Sequence, residues 1–126
     1  MSDSGLRVLI VDDDGDIRAL FDASLKMRGY AVDSASNGHE ALAQLAAMAA
    51  LPAVIVIDLH MPVMDGWELL TILAKDERLS AIPVIVLTAA DDPSKVAPRP
   101  KTVLTKPIAM ADLEAAINLL VRPGSA

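Results

Sequence analysis

The sequence contains no cysteine, and among its 126 residues Trp, Tyr and Phe occur once each. The lack of cysteine excludes disulfide bonds, thiol nucleophiles and thiolate metal sites. Because the chain is 53% hydrophobic but only 2% aromatic, its core must be built from Val, Ile, Leu, Ala and Met. Such a core is typical of parallel strands covered by alanine-rich helices.

Basic residues are a minority, with 11 Lys and Arg against 17 Asp and Glu, for a formal net charge of -6. This balance argues against direct binding of nucleic acid, which needs a basic surface. No apolar run approaches the about 20 residues of a membrane span. Residues 1–5 are small and polar, unlike a secretory signal. We therefore expect a cytoplasmic protein that does not contact a membrane.

Short β-branched segments alternate with segments of helical periodicity along the chain. This pattern predicts an α/β fold, a doubly wound five-stranded parallel sheet with helices on both faces. The length predicts one domain over residues 1–126, with a core from about residue 6 to 121. The predicted strands are 6–11, 30–35, 53–57, 83–87 and 101–104, and the clearest later helices are 67–75 and 109–121.

Local signals mark where the first two helices begin and end. Asp14 and Asp16 are typical helix-start acids, which the helix dipole favours, and we interpret them so rather than as metal ligands. Gly29 stands at the expected stop of the first helix. Asn37 can cap the second helix, with Glu40 three residues on as its capping-box partner.

Polar side chains follow the predicted strands at the points where they end. Asp12 and Asp13 follow the first strand, and Asp58 follows the third. In open parallel sheets the functional crevice lies at this edge. Three carboxylates gathered there repel one another, so the site favours a cation, and hard oxygen ligands favour Mg²⁺ or Mn²⁺.

Such a cation could bring a phosphoryl donor to one carboxylate. Attack of a carboxylate on phosphorus forms an aspartyl phosphate. The phosphoryl oxygens then need positive charge and hydrogen bonds. Lys106, after the fifth strand, supplies the charge, Thr88, after the fourth, supplies a hydroxyl, and the amides following Asp58 supply further donors.

Four motifs in sequence order resemble those of the bacterial response-regulator receiver domains of two-component signalling, such as the chemotaxis receivers. They span most of the chain and are VLIVDDD (8–14), VIDLHMPVMDG (56–66), VLTA (86–89) and LTKP (104–107). The resemblance implies a flavodoxin-like sheet with strand order 2-1-3-4-5.

The resemblance also implies a metal site for Mg²⁺ or Mn²⁺. Asp12 and Asp13 match the acidic pair of the family, with Asp13 as a direct ligand and Asp12 acting mainly through water. Asp58 and the backbone carbonyl of His60 would complete the protein's share of the metal ligands.

For the chemistry, the resemblance implies that Asp58 accepts the phosphoryl group. Thr88 matches the switch hydroxyl, and Lys106 matches the lysine that meets the phosphoryl group. The donor would be a histidine kinase or a histidine phosphotransfer protein. Such a domain catalyses its own phosphorylation and slow dephosphorylation, and it signals to a downstream protein by changing protein–protein interaction.

The segment between Thr88 and the fifth strand departs from the family pattern. Only residues 89–100 remain there, which is just the minimum of about a dozen residues that a parallel crossover normally needs. A helix that retraces a five-residue strand of roughly 16 Å would itself need about 11 residues. Pro98 and Pro100 further oppose a helix. We predict that the fourth helix, in this crossover, is shortened to about one turn over 93–96 or is absent.

The position three residues before Lys106 is a second departure, because Val103 stands where receivers commonly carry an aromatic switch residue. Val103 cannot swing a ring between buried and exposed positions, so we expect the output face to be altered. An alternative function is therefore a receiver-like binding module that does not depend on phosphorylation.

An aspartate-nucleophile phosphatase is a third hypothesis. It is disfavoured because His60 stands where those enzymes place a second acid. The sequence leaves open the identities of kinase and target, whether the chain is a stand-alone protein or a fragment of a larger regulator, and whether it forms a homodimer.

Overall fold

The computed structural model describes residues 6–58, 66–88, 102–105 and 108–121. Within these ranges strands and helices follow the order that the apolar pattern predicts. The strands are β1 (Arg7–Val11), β2 (Ala31–Ala35), β3 (Val54–Asp58), β4 (Val84–Thr88) and β5 (Thr102–Thr105). The helices are α1 (Gly15–Met27), α2 (Gly38–Ala47), α3 (Gly66–Lys75) and α4 (Met110–Val121).

The five strands form one parallel sheet in the order β2-β1-β3-β4-β5. This confirms the predicted flavodoxin-like topology, in which the chain winds outward from β1 in both directions. The predicted shortening or loss of the helix between β4 and β5 concerns residues 89–101, which lie outside the described residues.

Apolar side chains cover both faces of the sheet, because alternate residues of a strand point to opposite sides. On one face Leu9, Ile55 and Val86 pack with residues of α2 and α3. On the other face Ile10 and Val56 pack with residues of α1 and α4. All five residues of β3 and of β4 are buried, so these strands lie at the centre of the molecule.

The ends of α1 follow the local sequence signals. Asp14 is the N-cap, and its side chain accepts hydrogen bonds from the backbone N–H groups of Asp16 and Ile17. After the helix Gly29 has a φ of 95°, a conformation that glycine adopts without the steric cost of a Cβ. The predictions for Asp14 and Gly29 are thus confirmed, and Asp14 contributes a helix cap.

The start of α2 follows a modified capping box. Asn37 accepts a 2.8 Å hydrogen bond from the backbone N–H of Glu40, as predicted. The Glu40 carboxylate reaches back to Ser36, where it accepts from the backbone N–H and from the hydroxyl. The return bond therefore goes to the residue before the cap rather than to the cap itself.

None of the helices in the described ranges is long and apolar enough to cross a membrane.

Candidate functional site

Three carboxylates converge at the carboxyl edge of the sheet. One oxygen from each of Asp12, Asp13 and Asp58 lies within 4.8 Å of the others. Asp12 is 1% exposed and Asp58 is 3% exposed, whereas Asp13 is exposed to solvent. The cluster therefore has a buried floor and an open side.

The backbone and side chain of Asp12 are held by several hydrogen bonds. Its N–H donates to the carbonyl of Ala35 at 3.1 Å, which extends the pairing between β1 and β2 by one residue. Its Oδ1 accepts from the backbone N–H of Asp14 at 2.9 Å. Its carbonyl accepts from Nη1 of Arg18 at 2.7 Å. Asp12 is thus fixed at the start of the loop that leads into α1.

Asp58 is the last residue of β3 and is paired with Leu87 of β4. The apolar pattern predicts that this strand ends one residue earlier, at Ile57, but the structure holds Asp58 within the sheet rather than in a loop. Thr88 likewise ends β4, opposite Thr105 of β5, and is 4% exposed. Two polar residues predicted for the site are therefore held by rigid, buried strands.

The donor set fits a hard divalent cation. Ligands on opposite sides of Mg²⁺ are about 4.2 Å apart, given a metal–oxygen distance of about 2.1 Å. That distance is close to the 4.8 Å that contains the three carboxylate oxygens. A shared cation would relieve the repulsion between carboxylates. Asp13 is exposed, so solvent reaches this side of the cluster.

Two of the predicted site residues, Lys106 and His60, lie outside the described residues, as do Pro107 and the other residues of 59–65. The structure thus brings together Asp12, Asp13 and Asp58 and sets Thr88 on the adjacent strand.

Arg18 is a residue near the site that the sequence analysis did not single out. It lies four residues into α1, where the helix dipole disfavours a cation. A basic residue at such a position is a signal that its charge has a specific partner nearby. The partner is the carbonyl of Asp12, six residues earlier in the chain.

Glu40, at the start of α2, is electrostatically linked to this region. The backbone N–H of Ser36 and then its hydroxyl lower the pKa of the Glu40 carboxyl, and the slight desolvation opposes them. The positive charge of Arg18 lowers the pKa further. The Arg18 guanidinium therefore bonds to the loop after β1 and also acts electrostatically on the first turn of α2.

The comparison with protein families identifies the family to which this fold belongs. The sequence model of the response regulator receiver domain matches residues 8–118. The chain belongs to this receiver domain family. Its three carboxylates converge at the carboxyl edge of the sheet, where the sequence predicted them.

Curated relatives of the chain include transcriptional regulators. The chain is 36% identical over 123 residues to the transcriptional regulatory protein PrrA of Mycobacterium leprae, an alignment that covers 94% of this chain and 51% of PrrA. The chain spans about half the length of the curated relatives it matches.

Solved structures share the fold over nearly the whole chain. The receiver domain of the Francisella response regulator 1452 is 32% identical, with a TM-score of 0.83 and coverage of 94% of this chain and 98% of that one. The signal receiver domain of a signal transduction histidine kinase from Syntrophus aciditrophicus is 30% identical, with a TM-score of 0.83 and 97% of each chain covered.

Val103 lies on the edge strand β5 of the receiver domain, paired with Val86 of β4. Its partly buried side chain packs against the core on the α2 and α3 face. The position where receivers commonly carry an aromatic residue therefore holds a partly buried aliphatic side chain that packs against the core.

Proposed function

We propose that this receiver domain is a phosphorylation switch whose acceptor is Asp58. The observation that carries the proposal is the position of Asp58, which is buried at the end of β3 with its carboxylate beside those of Asp12 and Asp13. Because Asp58 belongs to β3, its carboxylate has a fixed position in the cluster. Rigid positioning of this kind favours an in-line displacement at phosphorus.

In the proposed reaction a carboxylate oxygen of Asp58 attacks the phosphorus of a phosphohistidine. The phosphorus–nitrogen bond breaks as the new phosphorus–oxygen bond forms, and its electron pair remains on the imidazole nitrogen of the donor. Transfer of the phosphoryl group leaves an aspartyl phosphate on Asp58. The donor would be a histidine kinase or a histidine phosphotransfer protein, in keeping with the receiver family.

Mg²⁺, or Mn²⁺ in its place, would be held by Asp12, Asp13 and Asp58 together with the backbone carbonyl of His60. When bound, the ion supplies positive charge that offsets the charge developing on the phosphoryl oxygens. Asp13 faces solvent and would bind the ion directly, whereas the buried Asp12 would hold its coordinated water.

Two further residues are proposed to meet the transferred phosphoryl group. Lys106 would pair with one oxygen, and the hydroxyl of Thr88 would donate to another. Thr88 supports this role because it ends the strand next to that of Asp58 and is buried at the same edge. A hydroxyl that moves towards the phosphoryl group would carry the signal from the site into β4 and β5.

The signal is proposed to change the affinity for a downstream protein, as a stand-alone domain or as part of a longer regulator. The net charge of -6 supports a protein partner rather than direct contact with nucleic acid. Donors that draw on ATP operate in the cytoplasm, which is the compartment we propose. Sedimentation with and without phosphorylation would show whether the partner is a second copy of the chain.

The test is phosphorylation by acetyl phosphate in the presence of Mg²⁺, measured by the intact mass of the protein. We expect the native chain to gain one phosphoryl group and Asp58→Asn to gain none. Asp16→Asn is the matched control, because it removes an exposed carboxylate of α1 outside the cluster. A native protein that stays unmodified, or an Asp58→Asn variant that is modified as fully as the native chain, contradicts the proposal.

Val103 supports a second candidate, a receiver-like binding module that does not depend on phosphorylation. Its aliphatic side chain packs against the core, so the aromatic rotation that commonly follows phosphorylation has no counterpart at this residue. Hydrogen exchange of β5 with and without beryllofluoride separates the candidates. Altered protection of β5 supports the switch, whereas bound beryllofluoride with unchanged protection supports the binding module.

A further inference from the structure

Arg18 contacts the peptide group that joins two of the three carboxylate-bearing residues. Its Nη1 donates to the carbonyl of Asp12 at 2.7 Å. That carbonyl lies in the same rigid peptide plane as the N–H of Asp13. A hydrogen bond to it therefore restrains the two soft dihedral angles on either side, including the one that sets the direction of the Asp13 side chain.

This restraint matters more for Asp13 than for Asp12 and Asp58, which are held in place by other parts of the sheet and loop. Asp58 is a residue of β3, and Asp12 is tied to β2 through its N–H and to the loop through its Oδ1. Asp13 is exposed and follows the end of β1. The orientation of its carboxylate towards the other two depends on the peptide plane that Arg18 contacts.

The position of the Arg18 guanidinium is itself restrained by its surroundings. A Cβ built on Gly15 would lie 3.6 Å from Nη2 of Arg18, so the guanidinium lies against the first turn of α1. Its charge also reaches Glu40 at the start of α2. A planar group that bonds to the Asp12 carbonyl and lies against α1 can keep one geometry, which a flexible ammonium would not do as well.

We propose that Arg18 is a positioning residue of the receiver site, which holds the Asp12–Asp13 peptide so that the Asp13 carboxylate stays beside Asp58 for cation binding. The proposal rests on the proposed function, because it concerns the same cation. It assigns Arg18 no contact with the cation or with the phosphoryl group.

The direction in which the cation affinity changes when Arg18 is replaced distinguishes a positioning role from a purely electrostatic one. Removing a positive charge close to three carboxylates should tighten the binding of a cation if charge alone matters. Loss of positioning should weaken it. Arg18→Gln is therefore expected to weaken binding by about tenfold, the lower end of what the loss of a group that orients a metal ligand costs.

Arg78 provides the matched control. Its guanidinium also donates to backbone carbonyls, those of Leu45 at 3.2 Å and Met48 at 2.7 Å, at the end of α2. Arg78→Gln removes the same charge and the same kind of hydrogen bond away from the carboxylate cluster. We expect it to leave cation affinity unchanged.

The experiment measures Mn²⁺ binding to the full chain by electron paramagnetic resonance, at a temperature where each variant is folded by circular dichroism. Weaker binding by Arg18→Gln with unchanged binding by Arg78→Gln supports the proposal. Unchanged or tighter binding by Arg18→Gln overturns it, and so does equal weakening by both variants. Arg18→Lys serves as a second variant, and fully native affinity for it would overturn the role of the guanidinium geometry.

Phosphorylation by acetyl phosphate gives an independent readout. The slow reaction of Arg18→Gln should approach the native rate as Mg²⁺ is raised, because only cation binding is impaired. A rate that stays low at saturating Mg²⁺ contradicts the proposal. If the native chain binds Mn²⁺ but is not phosphorylated, the proposed function fails, and the Mn²⁺ affinities of the variants still test the role of Arg18. If the native chain binds no Mn²⁺, the proposed function and the proposed role of Arg18 both fail.

Discussion

The hydroxyl of Tyr30 donates a 2.7 Å hydrogen bond to Oδ1 of Asn118, which lies 88 residues further along the chain. One helical turn before Asn118, Glu114 accepts a 2.6 Å hydrogen bond from Nε of Arg28. The two contacts join the corner between α1 and β2 to α4. They reinforce the apolar packing of α1 and α4 on the same face of the sheet.

Tyr30→Phe removes the hydrogen bond to Asn118 and leaves the ring in place. We expect the free energy of unfolding to fall by about 0.5–1.5 kcal/mol, the usual net value of such a bond, measured by urea denaturation. A double-mutant cycle with Asn118→Ala isolates the contact. If the two substitutions prove additive, the hydrogen bond contributes nothing to stability.

The raised pKa of Tyr30 also predicts how the free energy of unfolding changes at high pH. Burial, and then the negative charge of Glu114, raise the pKa of the Tyr30 hydroxyl above 10.0, while Arg28 opposes them. Because the pKa is higher in the folded than in the unfolded state, the stabilisation is complete below pH 10.0 and is lost as pH rises through the folded pKa. Tyr30 is the only tyrosine, so ultraviolet absorbance of tyrosinate reports its ionisation directly. Ionisation at or below the ordinary tyrosine pKa would contradict the prediction.

Two leucines of α4 provide a test of the core. Leu113 is fully buried against the sheet, whereas Leu119 is 72% exposed. Leu113→Ala should lower the free energy of unfolding by about 2–5 kcal/mol, because it leaves a cavity in a packed interior. Leu119→Ala, the control in the same helix, should change it by no more than about 0.5 kcal/mol. Equal effects in chemical denaturation would show that α4 does not pack as described.

Glu40 should contribute to the acid sensitivity of α2. Hydrogen bonds from Ser36 lower the pKa of its carboxyl below 4.5, so its stabilisation is present above pH 4.5 and is lost as pH falls through the folded pKa. Glu40→Gln should therefore be less stable than the native protein at neutral pH, and the difference should vanish in acid. A constant difference over that range, measured by denaturation at several pH values, would rule out the carboxylate as its source.

The charge of Asp13 should lower the free energy of unfolding of the metal-free protein and should raise it when a cation is bound. Asp13→Asn relieves repulsion within the cluster, and we expect it to raise the stability of the metal-free protein by about 1 kcal/mol. Its melting temperature should respond less to Mg²⁺ than that of the native chain, because binding to the folded state alone adds stability. Asp16→Asn is the control, and the same Mg²⁺ response in Asp13→Asn as in the native protein would remove Asp13 from the site.

The sequence by itself determined the kind of fold and most of its local boundaries. Strand and helix periods, the cap at Asp14, the stop at Gly29 and the Asn37 cap are local features, so residues close in the chain suffice to predict them. The carboxylates at the strand ends could be predicted for the same reason, because parallel strands bring their carboxyl ends to one edge. The four motifs then indicated the receiver family and its strand order.

Only the tertiary structure decided which distant groups meet. The ladder between β3 and β4 runs one residue further than the apolar pattern and so holds Asp58 in the sheet, while the pairing of β4 with β5 holds Thr88. The 4.8 Å convergence of the carboxylates depends on the register of β1 and β3 and on the loop after β1. The bond from Tyr30 to Asn118 depends on how α4 packs against the sheet. Such contacts are set by the packing of whole elements, and no local pattern of residue types encodes that packing.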